Sequence, residues 1–157
     1  MRVTNYDLRR KEGIPALVKE SSHYYPVVDK IVDGSDVWKL MSDVYNMSDS
    51  LEEYVYALAF DNAMHLLGVF LISKGSQDAA LFGIKEIVSR LLMIRATSCI
   101  MCHNHPSGNL TPSREDVEAT KKLRDACALM DITLQDHVII GEDGYCSMRE
   151  NNSIVFI

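Results

Sequence analysis

No stretch of the sequence approaches 18 uninterrupted apolar residues, so no segment is expected to cross a membrane as a helix. The basic N-terminus, MRVTNYDLRRKEGIP, has no apolar core behind it and does not read as a secretory signal. The expected compartment is therefore the cytoplasm, where thiols stay reduced. Cysteine is scarce, with only Cys99, Cys102, Cys127 and Cys146, and these are expected to be free thiols or ligands rather than a disulfide framework. Positive charge is also in deficit. The net charge is -6 and the pI about 5.3, which gives no electrostatic footprint for DNA or RNA and argues against nucleic acid as the main partner. Internal repeats and low-complexity segments are missing too.

What remains is an ordinary soluble composition, 47% hydrophobic and 24% charged, in a chain of 157 residues that suits one domain with a sizeable core. Residues 1 to about 22, interrupted by Gly13 and Pro15, read as an arm of uncertain structure. HYYPVVDKIV (23–32) is rich in β-formers, and Pro26 suggests an edge strand. Val37, Leu40, Met41, Val44 and Tyr45 recur at helical spacing, with Asp33 or Ser35 able to cap the start. The polar run NMSDS then looks like a joint, dividing an N-terminal segment (1–48) from a main body (49–157). EYVYALAF (53–60) and HLLGVFLI (65–72) predict a hairpin turning at Asp61-Asn62.

Residues 79–95 predict an amphipathic helix through Ala80, Leu81, Ile84, Ile87, Val88, Leu91 and Leu92. TSCIMCH (97–103) reads as a buried strand and NHPSGNLTP as a polar loop. A long helix is expected from about Ser113 to Met130 and a strand over ITLQDHVII (132–140). YCSMR and SIVFI are candidate short strands. The order after residue 50, β, β, α, β, α, β, β, predicts an α/β fold with a central sheet and helices packed against it.

The chemistry concentrates in HNHPSGNLTPSRED, residues 103–116. His103 and His105 are two apart, so a strand running through them would point both imidazoles to one face. Pro106 forces the chain out of the sheet there, which puts the pair at a strand end. Ser113 and Asp116 are three apart and share a helix face. Two imidazoles and one carboxylate leave a fourth zinc position for water, as in catalytic sites.

His-x-His, seven residues beginning with Pro106, then Ser-x-x-Asp resembles the metal motif of the JAB1/MPN/Mov34 (JAMM) metalloprotease superfamily. HNHPSG, PSREDVEATKKL and DHVIIG together resemble its RadC branch, over roughly residues 50–150. The resemblance implies a JAB1/MPN-type, cytidine-deaminase-like fold with a central mixed sheet flanked by helices. It implies zinc as cofactor, held by His103, His105 and Asp116. It also implies a catalytic glutamate eight residues before the Asp or Asn that ends the first core strand. Here that is Glu53, counted from Asp61, with Glu52 ranked second because it faces the other side. Ser113 would stabilise the oxyanion, and the bond cleaved would be an amide or isopeptide in a peptide or protein substrate. His137, with Asp136 before it, is expected in a structural role or just behind the ligands. Self-association into a homo-oligomer is a further expectation.

The sequence departs from the RadC pattern at GIKE (83–86), where relatives carry a Pro-Arg-Glu piece. The front helix-hairpin-helix domain of full-length relatives also has no room in residues 1–50. Duller readings compete at each position. Ser113-x-x-Asp116 matches a capping box, and Thr111-Pro112 supplies an N-cap and N1 pair; both are compatible with ligation. Cys99-Ile-Met-Cys102-His103 matches a haem-attachment string, but that string needs an exported protein, and residues 99 and 102 would face opposite sides of a strand. The contiguous letters HNH do not make a nuclease, whose residues are scattered along a ββα unit. The alternatives to a hydrolase are a non-catalytic MPN-type interaction module and a DNA-repair-associated protein.

Overall fold

The computed structural model describes residues 1–75 and 82–156. Seven strands form one mixed sheet, in the order β2-β1-β4-β3-β5-β6-β7. In chain order the elements are β1 (Arg2–Lys11), β2 (Ile14–Tyr24), α1 (Gly34–Tyr45), β3 (Glu53–Phe60), β4 (Leu66–Gly75), α2 (Ile84–Met93), β5 (Ser98–Asn104), α3 (Arg114–Ala128), β6 (Thr133–Ile140) and β7 (Tyr145–Ser147). The helices flank the sheet, an α/β arrangement of the JAB/MPN type, and the order from β3 onward is the one the sequence predicts. Among the described residues no helix is long and apolar enough to cross a membrane.

β3 and β5 sit at the centre because both of their faces are apolar. Every residue of β5 is buried, as is β3 from Val55 on. Such near-continuous apolar runs suit a strand covered on both sides. On one face Tyr56, Leu58, Phe60, Ile100, Cys102 and Val138 pack against Val37, Leu40 and Met41 of α1. On the other, Val55, Ala57, Cys99 and Met101 meet Ile87 and Leu91 of α2 and Leu123 and Cys127 of α3. Each fully buried large side chain, such as Leu58 or Leu91, contributes roughly 1.5–3 kcal/mol. Cys99 and Cys102 thus face opposite layers, as the strand period requires, and all four cysteines are free.

Several expectations need correction. Residues 1–22 are not an irregular arm: β1 and β2 form an antiparallel hairpin that joins the sheet through β4. Glu12 and Gly13, both at positive φ (52° and 83°), make its two-residue turn, a geometry in which Gly is at ease and Glu is not. HYYPVVDKIV is not a strand either. Only His23 and Tyr24 belong to β2, and residues 25–33 are irregular, because Pro26 has no N–H for a ladder. The helix placed over 79–95 spans Ile84–Met93, while Ala80 and Leu81 lie outside the described residues. The N-cap of α3 is Ser113, so Thr111-Pro112 does not start the helix. SIVFI forms no strand over residues 153–156; Ile154 instead buries against Ile139 and Met148.

Candidate metal centre

β5 delivers His103, fully buried, to the layer that α3 covers. The strand ends at Asn104 and does not run on through His105. A tight turn follows, closed by Gly108 N donating to His105 O at 2.9 Å, with Gly108 at φ +75°. The turn swings the His105 ring back toward the strand end. Its Nδ1 lies 2.6 Å from the Asn109 carbonyl and its Nε2 2.8 Å from Nε2 of His103.

The third group arrives from the start of α3. Ser113 caps the helix: its hydroxyl oxygen accepts from Asp116 N at 3.0 Å, and Asp116 Oδ2 accepts from Ser113 N at 2.6 Å. The capping box is therefore real, and it aims Asp116 at the imidazoles. Oδ1 lies 3.4 Å from His103 Nε2 and Oδ2 lies 3.2 Å from His105 Nε2. One ligand atom each from His103, His105 and Asp116 fall within 4.8 Å of one another, so this group could hold a metal ion.

The polar atoms in this cluster fit a cation. Asp116 Oδ1 is buried and, among the described residues, has no hydrogen-bond donor, a costly state for a carboxylate oxygen. The Asn109 carbonyl takes the Nδ1 hydrogen of His105, so Nε2 of the neutral ring is an acceptor facing other acceptors. Two imidazole nitrogens and one carboxylate are a donor set suited to a divalent transition metal. Without a metal, protons on the two rings compete for the same place. Burial opposes ionisation of Asp116, but hydrogen bonding from His103 and His105, the charge of His103 and the Ser113 N–H together hold it well below the usual carboxylate range. Asp116 in turn raises His105.

Glu53 opens β3. Val55 pairs with His103 in the antiparallel register, so Glu53, two residues earlier on the same face, is level with His105. Its charge is felt by His105. Glu52 points the other way, paired with Lys74 at 3.0 Å and accepting from the Tyr54 hydroxyl at 3.1 Å. Asp136 is not behind the ligands. Buried on the opposite face of β6 from His137, it accepts from Ser147 Oγ at 2.5 Å, from His137 N at 2.7 Å and from Arg149 N at 3.0 Å, and so ties β6 to the β7 region. His137 is the residue that backs the centre: its Nε2 lies 2.8 Å from His103 Nδ1, and burial, with the charge of His103, holds it well below the usual histidine range.

Two residues escaped the sequence reading. Thr120 stands 2.6 Å from His137 Nδ1 and donates to the Asp116 carbonyl at 2.6 Å. The available signal was its spacing of four from Asp116, which puts both on one helix face. Asn104 clamps the entry to β3: Oδ1 accepts from Tyr54 N at 2.8 Å and Nδ2 donates to the Glu52 carbonyl at 2.9 Å. Glu53 sits between those two anchors.

A family model for the RadC-like JAB domain matches residues 31–153. Among curated relatives, a UPF0758 protein of Methanosarcina barkeri is 34% identical over 125 residues, which cover 80% of this chain and 54% of that protein. One from Pseudomonas syringae pv. tomato is 40% identical over 97 residues, 61% of this chain and 43% of its own length. Another, from Clostridium perfringens, is 36% identical over 123 residues, 78% and 53% respectively. The chain spans about half the length of these relatives. Because the match takes in most of the chain, from α1 to beyond β7, and with it every residue of the His-His-Asp cluster, this protein belongs to the RadC-like JAB domain family.

Proposed function

We propose that this domain is a zinc-dependent hydrolase of amide bonds, a peptidase or isopeptidase acting on a peptide or protein. The observation that carries the reading is the convergence of His103, His105 and Asp116 with Glu53 on the neighbouring strand. Three protein donors of the N, N, O type leave zinc one position for a non-protein ligand, the pattern of catalytic rather than structural sites. The His105 side chain is 17% exposed while His103 and Asp116 are fully buried, so the centre opens on the His105 side.

A zinc ion bound there supplies Lewis acidity, lowering the pKa of a coordinated water toward neutrality. Glu53 accepts the proton that water loses on attacking the carbonyl carbon. The same carboxyl group then delivers it to the leaving nitrogen as the C–N bond breaks. Ser113 Oγ accepts from Asp116 N, which leaves its own hydrogen free to donate to the developing oxyanion; one such donor is worth roughly 3 kcal/mol.

The test combines metal analysis with cleavage of a panel of peptide and isopeptide substrates. Glu53→Gln is expected to keep zinc and lose about 10²–10⁴-fold in rate. His105→Ala is expected to lose both. Equal cleavage by wild type and His105→Ala would remove zinc catalysis from consideration. Zinc retained with no cleavage of any substrate would favour a non-catalytic interaction module.

A further inference from the structure

We infer that Thr120 is a positioning residue of this metal centre: acting through His137, its hydroxyl fixes which ring nitrogen of His103 carries hydrogen and leaves Nε2 free to ligate. The inference rests on the metal reading proposed above and adds a residue that the motif does not contain.

The assignment follows from counting hydrogens. The Asp116 carbonyl can only accept. Thr120 Oγ1 lies 2.6 Å from it and has a single hydrogen, so that hydrogen goes to the carbonyl. Only lone pairs remain on Oγ1 for His137 Nδ1, also 2.6 Å away, and Nδ1 must therefore be the N–H. His137 is fully buried and, among the described residues, no carboxylate is one of its hydrogen-bond partners, so its ring is neutral and its Nε2 is bare. A bare Nε2 at 2.8 Å requires a hydrogen on His103 Nδ1. On a neutral His103 ring, Nε2 is then a lone pair, directed at His105 Nε2 and Asp116 Oδ1.

Two main-chain carbonyls thus set the two ligating rings. Asn109 does so directly for His105, and Asp116 does so through Thr120 and His137 for His103. A ligating histidine usually gives its second N–H straight to a carboxylate or carbonyl. Here the second N–H goes to another imidazole, which could equally well present its opposite tautomer. In that case His103 would carry its hydrogen on Nε2 and could not ligate. Thr120 removes the ambiguity.

The experiment uses the whole chain, with Thr120→Val, which keeps the shape and loses the hydroxyl, and Thr120→Ser, which keeps the hydroxyl. Imidazole tautomers are read by long-range ¹H–¹⁵N NMR of the metal-free proteins at mildly alkaline pH. Zinc affinity is read by competition with a chromogenic chelator, and folding by circular dichroism. In wild type both His103 and His137 should carry hydrogen on Nδ1. Thr120→Val should move His137 to the Nε2–H form and weaken zinc binding by about 10–100-fold. Thr120→Ser should restore the tautomers and most of the affinity.

A wild-type His103 with hydrogen on Nε2 would overturn the inference without any variant having to fold. So would Thr120→Val with unchanged tautomers and affinity, or Thr120→Ser as weak as Thr120→Val. Wild-type protein that shows the expected tautomers yet refuses zinc would sink the metal reading and, with it, this role for Thr120. Zinc bound by a protein whose metal-free His103 carries hydrogen on Nε2 would sink the relay alone.

Discussion

Asp116 holds two positions at once, and substitution can separate them. Its Oδ2 accepts from Ser113 N at 2.6 Å, whereas its Oδ1 is buried beside His103 with no donor among the described residues. Asp116→Asn keeps an oxygen for the cap and loses the anionic ligand. Asp116→Ala loses both and strands the Ser113 N–H, at a cost of about 1–3 kcal/mol. In chelator, Asp116→Asn should therefore stay close to wild type, and Asp116→Ala should melt lower by roughly 2–4 °C per kcal/mol for a chain of this size. With free zinc at a hundred times the wild-type Kd, wild type gains about 2.7 kcal/mol, or roughly 5–10 °C. Both variants should lose most of that rise. Thermal unfolding by circular dichroism, with chelator and with zinc, reads all six values. A rise in Asp116→Asn equal to that of wild type would show that Asp116 does not ligate. Equal melting of the two variants in chelator would show that the cap oxygen is not what the side chain contributes to the fold.

Asn104→Ala should leave Tyr54 N–H and the Glu52 carbonyl without partners, speed amide exchange at Tyr54, and lower catalysis more than zinc affinity, because Glu53 lies between the two anchors; unchanged exchange at Tyr54 would rule out the clamp. At alkaline pH, burial raises Tyr25, Tyr45 and Tyr56, the last to about 12. A phenol whose folded pKa is raised contributes stability that is full below the ordinary value near ~10 and is lost as pH climbs through the folded value. Phenolate absorbance should rise in two phases, the second together with loss of far-UV circular dichroism; a single phase ahead of unfolding would contradict the burial of these rings.

The central elements were legible because their patterns have one reading. β5 is apolar from Cys99 to Cys102, β3 is apolar over most of its length, and α3 is capped by Ser113 three residues ahead of Asp116. The ligand cluster was legible for the same reason, since Pro106 ends the strand just where His105 must leave it. The N-terminal hairpin was not. β1 is largely half-exposed and β2 mostly exposed; they carry no clean alternation and pair mostly with each other, so their strand character comes from tertiary pairing and a Glu12-Gly13 turn that lacks the usual Asn or Asp. Asp136 misled because it adjoins His137 in sequence, whereas neighbours on a strand face opposite ways. Thr120 looked like one more polar residue on a charged helix until His137, seventeen residues further on, was placed against it.

Capping and ligation are often rival explanations for a Ser-x-x-Asp pair, but here the two oxygens of one carboxylate divide them. A residue that served only as a cap would need Oδ2 at the Ser113 N–H and nothing more; its second oxygen could face water. Asp116 instead buries Oδ1 beside two imidazoles, in a place where no donor among the described residues reaches it. With both rings neutral, that arrangement leaves a net negative charge in the interior, which costs several kcal/mol unless a cation offsets it. The N-terminus of α3 favours the ionised carboxylate through its dipole but brings no donor to Oδ1. A proton on His105 can offset the charge, and so can a metal ion, and both must use the same Nε2. The helix start is thus what allows an unpaired carboxylate oxygen to persist in the core, and the cap is part of what makes the metal site rather than an alternative to it.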